Sequence, residues 1–358
     1  MNLTAFAQLA RWLGPWSDEQ SAPVVNCEEI AIAPRIPGES GFSARLYQPL
    51  RSPARAAVLL IPGLHFLGPF DPRLDRFARI LANSGKLVLA PHLPNFEAMV
   101  VAPSLIEDSE RALASLLERV PAGAKVGLMS ISFGVLPASA VAAGSPRVSS
   151  LVTFGGYGSF EDTLRFCLLG GHGLPHDPLN RPALFLNLLD HLPAPRDRDR
   201  LSGAWLEYMR QTWGRPWMKE RSRFEPVARS LQSSVHQADR RLYLQGCGVE
   251  ADGEELGLAA IESASQSGAF DWLDPTHHLR ELTVELAVVH GRDDDVIPYT
   301  QAEILVRAAP RTRRLLTGMY SHTGSQGLAA SLQQLPAAVG EGVEMLKILR
   351  VLGELGQR

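Results

Sequence analysis

The sequence lacks the features that mark several large classes of protein. Its 358 residues include only three cysteines, which are widely spaced and odd in number. Such a set predicts reduced thiols in a cytoplasmic protein rather than a disulfide framework, and no Cys/His spacing resembles a zinc site. The net charge of −3 gives no electrostatic reason to bind nucleic acid or an acidic membrane. We therefore expect no metal, no cofactor and no nucleic acid partner, and the oligomeric state stays open.

Long apolar segments are also missing. No run of residues approaches transmembrane length without a charge or a proline, so we expect no stable insertion into a membrane. Residues 1–16 lack the basic region and the small-residue cleavage site of a secretory signal. Their apolar side chains instead follow helical spacing, which predicts an amphipathic helix that packs on the rest of the protein. Hydrophobic residues make up 45% of the chain, which is ordinary for a globular protein that buries a sizeable core.

Short apolar runs alternate with helical patterns through much of the chain. Two of them, 25–33 and 42–48, show rough alternation and predict edge strands joined by a Pro37-Gly38 turn. The other predicted strands are buried apolar runs at 56–61, 86–90, 125–129, 151–156, 284–290 and 314–316. Helical stretches between them, such as 73–84 and 104–120, give a βαβ rhythm. This rhythm predicts an α/β fold, a doubly wound and mostly parallel sheet with helices on both faces.

The rhythm breaks after Tyr157 and resumes only near residue 283. Residues 160–275 are dominated by helical spacing with proline and glycine breaks, and they hold several tryptophans. We therefore divide the chain into the N-terminal part of an α/β core at 1–159, an inserted helical cap at 160–275 and the C-terminal part of the core at 276–358. The alternative is that the middle segment is only an elaborated helical layer. A cap over the strand ends would build the substrate pocket and exclude water.

The most informative stretch runs from Ser130 to Gly134. A buried strand precedes it and an alanine-rich helix follows, so Ser132 would lie on a sharp strand-to-helix turn, the geometry of a nucleophile elbow. Such a turn brings together the residues two before and two after the serine, and both Ser130 and Gly134 are small. The N–H of Phe133 would then point at an oxyanion beside Ser132. The usual pattern has glycine in place of Ser130, and a serine here also suits a plain helix N-cap.

Three further motifs follow strands in a defined order. A buried strand ends in Pro62-Gly63-Leu64-His65, and the strand at 284–290 leads into the sequence Gly-Arg-Asp-Asp-Asp-Val-Ile-Pro at 291–298. The last is Ser321-His322-Thr323-Gly324. Together with the elbow, this order of serine, acid and histidine resembles the α/β-hydrolase superfamily over residues 25–159 and 276–345. The resemblance implies an α/β-hydrolase fold and a cap at the position of the middle segment.

The resemblance also implies catalytic roles. Ser132 would be the nucleophile, and His322 would be the base that a weakly nucleophilic serine needs. A carboxylate must orient the imidazole and stabilise its cation. Register against the family pattern, with the acid three residues after the glycine, selects Asp294. The N–H groups of Leu64 and Phe133 would form the oxyanion hole.

Competing residues surround these choices. Asp293 and Asp295 are interpreted as solvated loop residues or helix-capping partners. His290 competes with His322 as the base, but its place at a strand end favours a partly buried side chain that is hydrogen-bonded in the loop. The candidates for the substrate pocket are His65, His92, Trp213 and Trp217. His92 stands at a strand end where the family often has aspartate, and a structural hydrogen bond is its simpler interpretation.

The leading hypothesis is a serine hydrolase that cleaves a small-molecule carboxylic ester through an acyl-enzyme. Acyl transfer and the hydrolysis of amide or carbon–carbon bonds use the same residues and stay open as alternatives. Chemistries with an aspartate nucleophile are disfavoured because Ser132 occupies that position. A hypothesis from another class is a non-catalytic ligand-binding protein, since the same fold serves as a receptor scaffold. The presence of serine, acid and histidine together argues against that class.

Overall fold

A computed structural model describes most of the chain. The described residues are 3–14, 17–18, 20–34, 36, 40–50, 52–171, 173–174, 176–318, 320–321, 324–325 and 335–357, with side chains omitted at 320, 321, 324, 325 and 335–339. The predicted Pro37-Gly38 turn and the proposed base His322 lie outside the described residues.

An eight-stranded sheet forms the centre of the molecule. Its strands are β1 (Asn26–Ile32), β2 (Phe42–Gln48), β3 (Ala56–Ile61), β4 (Lys86–Pro91), β5 (Val126–Ile131), β6 (Val148–Phe154), β7 (Glu285–Gly291) and β8 (Thr312–Thr317). Their order across the sheet is β1-β2-β4-β3-β5-β6-β7-β8. β2 pairs antiparallel with both β1 and β4, and β3 to β8 pair with one another in parallel. The carboxyl ends of β3, β5 and β7, which lead into the Pro62-Gly63 loop, the elbow and the acid motif, therefore lie at one end of the sheet.

Helices cover both faces of this sheet. In chain order they are α1 (Leu3–Leu13), α2 (Pro72–Asn83), α3 (Pro94–Glu97), α4 (Ser104–Leu117), α5 (Val135–Gly144), α6 (Phe160–Leu169), α7 (Arg181–Asn187), α8 (Arg198–Thr212), α9 (Arg221–Leu231), α10 (Arg240–Gly246), α11 (Gly253–Gln266), α12 (Thr276–Arg280), α13 (Gln301–Ala308) and α14 (Leu335–Glu354). A two-stranded ribbon, β9 (Tyr320–Ser321) with β10 (Gly324–Ser325), follows β8. None of the described helices is long and apolar enough to cross a bilayer.

Alternation along the central strands divides the core into two parts. In β3, Val58 and Leu60 point to the face covered by α1, α2 and α14, while Leu59 and Ile61 point to the face covered by α4 and α5. All four side chains are fully buried, as expected for strands of a parallel sheet with helices on both faces. The inserted helices α6 to α11 continue the second of these cores without a break.

The fold class is the one predicted, and the strand positions agree within a few residues. One difference has a clear cause, because the predicted strand at 151–156 runs from Val148 to Phe154. Gly155 follows with a φ of 60°, a left-handed conformation that cannot continue a strand. A Cβ on Gly156 would lie 2.9 Å from Cβ of Val135, so glycine here lets α5 approach the sheet closely.

The buried Lys86 at the start of β4 gives a testable pH dependence of stability. Its Nζ donates to Oγ of Ser84 at 3.3 Å and to the carbonyl of Gly353 at 3.4 Å. Burial lowers the pKa of Lys86 from 10.5 to about 8. In the unfolded chain the ammonium keeps its ordinary pKa, so between these values the unfolded state holds a proton that the folded state has released. The contribution of Lys86 to the free energy of unfolding therefore rises as the pH increases from about 8 to 10.5.

We expect Lys86→Met to remove this dependence, because methionine fills a similar volume without a titrating group. Relative to the variant, the wild-type protein should gain on the order of 2–3 kcal/mol in free energy of unfolding across the window. Urea unfolding of both proteins at several pH values measures the difference. Parallel pH profiles for the two proteins would contradict the assignment.

Candidate functional site

Ser132 has a strained backbone between β5 and α5. Its φ is 51°, and Met99 is the other non-glycine residue with positive φ in the described part of the chain. A serine in this region costs about 1–3 kcal/mol, and such strain persists only where the surroundings enforce it. The Ser132 side chain is 5% exposed and lines a cavity. A plain helix N-cap carries no such strain, since an N-cap residue sits in the extended region.

The loop after β3 packs tightly against the turn at Ser132. A Cβ on Gly134 would lie 2.4 Å from the carbonyl oxygen of Pro62, so only glycine fits there. A Cβ on Gly63 would lie 3.0 Å from Cβ of Ser132. The loop after β3 therefore touches the elbow directly. Ser130 is fully buried in β5, where its small side chain is accommodated in place of the usual glycine.

The two predicted oxyanion donors lie on either side of this contact. Leu64 belongs to the loop that touches the elbow, and Phe133 belongs to the 3₁₀ turn Ser132–Gly134 that leads into α5. Both residues line the same cavity as Ser132. The partial positive charge at the N-terminus of α5 favours a negative charge at this place.

Asp294 lies in a tight turn after β7. Its Oδ1 accepts hydrogen bonds from the backbone N–H groups of Val296 and Ile297, both at 2.9 Å, and only 2% of the residue is exposed. Two backbone donors on one carboxylate oxygen fix the direction of the other oxygen. The residues Asp294 to Ile297 are called the acid turn below.

His290 is engaged in this turn and unsuited to act as a base. Its ring is fully buried, and its Nε2 lies 2.9 Å from the carbonyl oxygen of Ile297 and 3.4 Å from Oδ2 of Asp294. Because a carbonyl oxygen only accepts, Nε2 must carry the proton. The simpler interpretation of His290, a strand-end side chain hydrogen-bonded in the loop, agrees with this geometry, although the ring is fully rather than partly buried.

The two aspartates beside Asp294 differ from each other. Asp295 forms an ion pair with Lys219, which lies in the inserted segment, so its interpretation as a solvated loop or capping residue is wrong. Asp293 is half-buried, and burial raises the pKa of its carboxyl.

The short ribbon of β9 and β10, which flanks position 322 in sequence, packs against β7 through β9. The backbone of Tyr320 and Ser321, just before the proposed base in sequence, therefore runs close to the strand that carries the acid turn.

The cavity at Ser132 has a volume of about 630 Å³. The core contributes the loop after β3, the elbow and side chains of α1, α2 and α14, such as Leu13, Phe77 and Leu352, to its wall. The inserted segment contributes mainly apolar side chains, with a few polar ones among them: Phe160, Leu164, Cys167, Leu184, Asn187 and Trp213. The insertion therefore lies on the same side of the sheet as Ser132. A wall of this kind suits an organic ligand that is largely apolar.

His65 lines the cavity as predicted and is held by hydrogen bonds. Its Nδ1 accepts from the N–H of Leu67 at 3.1 Å, so Nε2 carries the proton and faces Oδ2 of Asp71 at 3.3 Å. Burial, with Arg73 nearby, lowers the pKa of His65 to about 4 against the opposing effect of Asp71. The ring is therefore neutral at neutral pH. Burial would raise the pKa of Asp71, but hydrogen bonds from Arg73 outweigh it and hold the pKa below its ordinary value.

The other three pocket candidates fare differently. Trp213 lines the cavity, donates from Nε1 to the carbonyl of Leu179 at 2.8 Å, and lies 5.9 Å from the ring of His65. Trp217 is 63% exposed and does not belong to the described lining, so its prediction is corrected. Its helical turn points outward, which sequence spacing could not show. His92 does not belong to the described lining, so its place among the pocket candidates is corrected. Its Nδ1 binds Oε1 of Glu97 at 2.7 Å, which agrees with its simpler interpretation as a structural hydrogen bond.

Sequence reasoning missed two groups of polar residues at the cavity. Asp71, paired with Arg73, caps α2 by accepting hydrogen bonds from the backbone N–H groups of Arg73 and Leu74. The Asp-Pro pair at 71–72 is a recognisable helix start and could have revealed it. Asp177 also lines the cavity and contacts Lys219. No local pattern signals that contact, since its partners come from distant segments.

Similarity to known proteins is found in the fold rather than in the sequence. No protein-family model matches the sequence, and a search of curated proteins finds no match. Among solved structures, an acylaminoacyl peptidase from Pyrococcus horikoshii matches with a TM-score of 0.50 and 10% identity, covering 93% of this chain and 41% of the peptidase. The chain thus spans about two fifths of that protein's length.

Two further structures match over nearly their whole length. The esterase domain of a Rhodothermus marinus protein has a TM-score of 0.43 and 16% identity, covering 88% of this chain and 98% of the domain. A 2-hydroxy-6-oxo-6-phenylhexa-2,4-dienoate hydrolase from a Rhodococcus species has a TM-score of 0.45 and 14% identity, covering 89% of this chain and 100% of the hydrolase.

The similarity to the acylaminoacyl peptidase concerns the fold, because a sequence identity of 10% is too low to indicate a shared activity. It agrees with what the structure shows by itself. In the eight-stranded sheet β2 pairs antiparallel with β1 and β4, the six strands β3 to β8 pair in parallel, and a strained serine follows β5. The protein therefore has the α/β-hydrolase fold that its sequence motifs resemble.

Proposed function

We propose that the protein is a serine hydrolase that cleaves a carboxylic ester through an acyl-enzyme, with Ser132, Asp294 and His322 as its triad. The observation that carries the proposal is the positive φ of Ser132 in a buried turn that opens onto a cavity. Strain of this kind is kept at functional sites. The proposed acid, held by two backbone donors, supports the same function.

The chemistry assigns one step to each group. His322 takes the proton of the Ser132 hydroxyl as Oγ attacks the ester carbonyl carbon, and the carbonyl oxygen becomes an oxyanion. The N–H groups of Leu64 and Phe133 stabilise that oxyanion. The C–O bond then breaks, and the alcohol leaves with the proton from His322. Water, deprotonated by His322, then attacks the acyl carbon; the bond to Oγ breaks, His322 returns the proton to Oγ of Ser132, and the acid is released. Asp294 keeps the imidazole oriented and stabilises its cation throughout.

We further propose that residues 160–275 act as a cap that sets substrate size. Support comes from the side chains that this segment contributes to the cavity wall, with Trp213 among them. The largely apolar wall favours an apolar acyl or alcohol group over a charged one. For the compartment, the three free cysteines, two of them buried, support a reducing cytoplasm.

A panel of substrates distinguishes this proposal from its alternatives. p-Nitrophenyl esters of graded chain length would be turned over by an esterase, whereas matched amide and thioester substrates test the other bonds. Adding an alcohol or a thiol acceptor separates acyl transfer from hydrolysis. A fluorophosphonate probe that labels Ser132 supports catalysis, and the absence of both labelling and turnover would favour a ligand-binding protein.

The first prediction concerns the nucleophile. We expect Ser132→Ala to lose about 10³-fold or more in turnover and to lose fluorophosphonate labelling, because only binding and oxyanion effects would persist. Ser132→Gly should be equally inactive but more stable, since glycine relieves the strain at this φ. Kinetics and thermal unfolding measure the two effects. Full ester turnover by a folded Ser132→Ala protein would exclude the proposed role.

A second prediction concerns the acid. Asp294→Asn should lower kcat by about 10³–10⁴-fold, because a neutral amide cannot stabilise the imidazolium and favours the wrong tautomer. Asp293→Asn is the matched control at the neighbouring position, and it should change kcat far less. If the Asp293 change proved the damaging one, the assignment of the acid would be off by one residue.

A third prediction uses two tryptophans of one segment. Trp213 lines the cavity and Trp217 lies outside its described lining, so the pair offers a matched comparison. Trp213→Ala should change the relative kcat/KM among esters of different chain length by about 10–100-fold, the usual value of one apolar contact. Trp217→Ala should leave the ranking as it is. Equal effects of both changes, or none, would argue against the proposed cap.

A further inference from the structure

The acid turn is held from outside by the inserted segment. The N–H of Asp177 donates to the carbonyl oxygen of Asp295 at 2.9 Å, and Sγ of Cys167 donates to the carbonyl of Val296 at 3.3 Å. Cys167 belongs to α6, and Asp177 lies in the loop between α6 and α7. The turn that carries Asp294 thus depends on contacts made far away in the sequence.

The strongest of these contacts is a partly buried cluster of three charges. Nζ of Lys219 lies 3.0 Å from Oδ2 of Asp177 and also binds Oδ2 of Asp295. The exposed fractions of the three side chains are 8% for Asp177, 25% for Lys219 and 21% for Asp295. One ammonium therefore bridges two carboxylates that would otherwise repel each other within the protein.

The groups around Lys219 make it a bridge rather than a surface charge. Burial, which lowers the pKa of Lys219, is outweighed by Asp177 and Asp295, and the pKa is raised above its ordinary value. The lysine is therefore charged at any pH at which the protein would act. Lys219 ends the 3₁₀ turn Pro216–Lys219, whereas Asp295 is the direct neighbour of Asp294. The cation thus ties the insertion to the residue next to the proposed acid.

We propose that Lys219 is a positioning residue, which holds the acid turn by bridging Asp177 and Asp295 and so keeps Asp294 in its catalytic orientation. This inference rests on the proposed function. Without the ammonium, the ionic bridge between the insertion and the acid turn is lost, Asp177 and Asp295 repel each other, and the turn would move. A displacement of about 1 Å at a catalytic group lowers turnover by up to about 10²-fold. The insertion would then serve the chemistry as well as the choice of substrate.

The test removes the cation in two backgrounds. In the full-length protein, Lys219→Met should lower kcat for p-nitrophenyl butyrate by about 10–100-fold with little change in KM. The same change made in Asp294→Asn should cause almost no further loss, because there is no longer a carboxylate to orient. Such non-additivity is the mark of two residues that act through one interaction. The rate of fluorophosphonate labelling of Ser132 extends the measurement to the slow variants.

Two control proteins keep the result interpretable. Arg198→Met removes an exposed ion pair with Asp190 in the same segment, at 55% and 75% exposure, and should leave kcat unchanged. If Lys219→Met fails to fold, the variant with Lys219→Met, Asp177→Asn and Asp295→Asn removes all three charges together. It avoids the unpaired carboxylates, and the loss of kcat should persist because the bridge is still absent.

The outcomes separate this inference from the proposed function. If Ser132→Ala abolishes turnover while folded Lys219→Met keeps its full kcat, the positioning role is overturned alone. If Lys219→Met lowered kcat by the same factor in the wild-type protein and in Asp294→Asn, the role would also be overturned, since the lysine would then act independently of the acid. Full turnover by Ser132→Ala would overturn the proposed function and, with it, the role of Lys219.

Discussion

The close approach of the β3 loop to the turn after β5 is the constraint on which the site depends. Gly134 and Gly63 leave no room for a side chain between these two segments, and Ser132 adopts a left-handed conformation in the space that is left. The cost of this backbone is offset by the packing of α5, whose first eight residues are all buried. This contact therefore brings together the Ser132 side chain, the loop that carries Leu64 and the turn that leads into α5.

Charged side chains around the cavity form two clusters of ion pairs and hydrogen bonds. His65, Asp71 and Arg73 form one group on the core side, and Asp177, Lys219 and Asp295 form another between the insertion and the acid turn. In the first group Arg73 neutralises Asp71 while His65 is uncharged, and in the second Lys219 pairs with both Asp177 and Asp295. Each buried carboxylate therefore has a cation beside it. The same hydrogen bonds that satisfy these groups also hold the loop beside Leu64 and the turn of Asp294. Electrostatic compensation and positioning are thus supplied by the same contacts.

The insertion is part of the same packed core as the sheet. Its helices continue the apolar cluster on the α4 and α5 face, and Asn187 clamps the strained loop at Met99 through hydrogen bonds to Met99 and Val101. Packed interiors transmit displacements rather than absorb them. A substitution at a buried position of the insertion is therefore expected to reach the loops that carry the site, as well as the cavity wall.

The strand and helix positions, the order of the motifs and the candidate Ser132 and Asp294 followed from sequence, because each rests on local periodicity and on residues close together in the chain. The outward position of Trp217, the contact of His92 with Glu97 and the pairing of Asp295 with Lys219 did not. They depend on which faces of distant segments meet, and helical spacing leaves that open in a segment broken by prolines and glycines. Sequence thus determined the elements and their chemistry, while only tertiary packing decided which side chains enclose the cavity and support the acid turn.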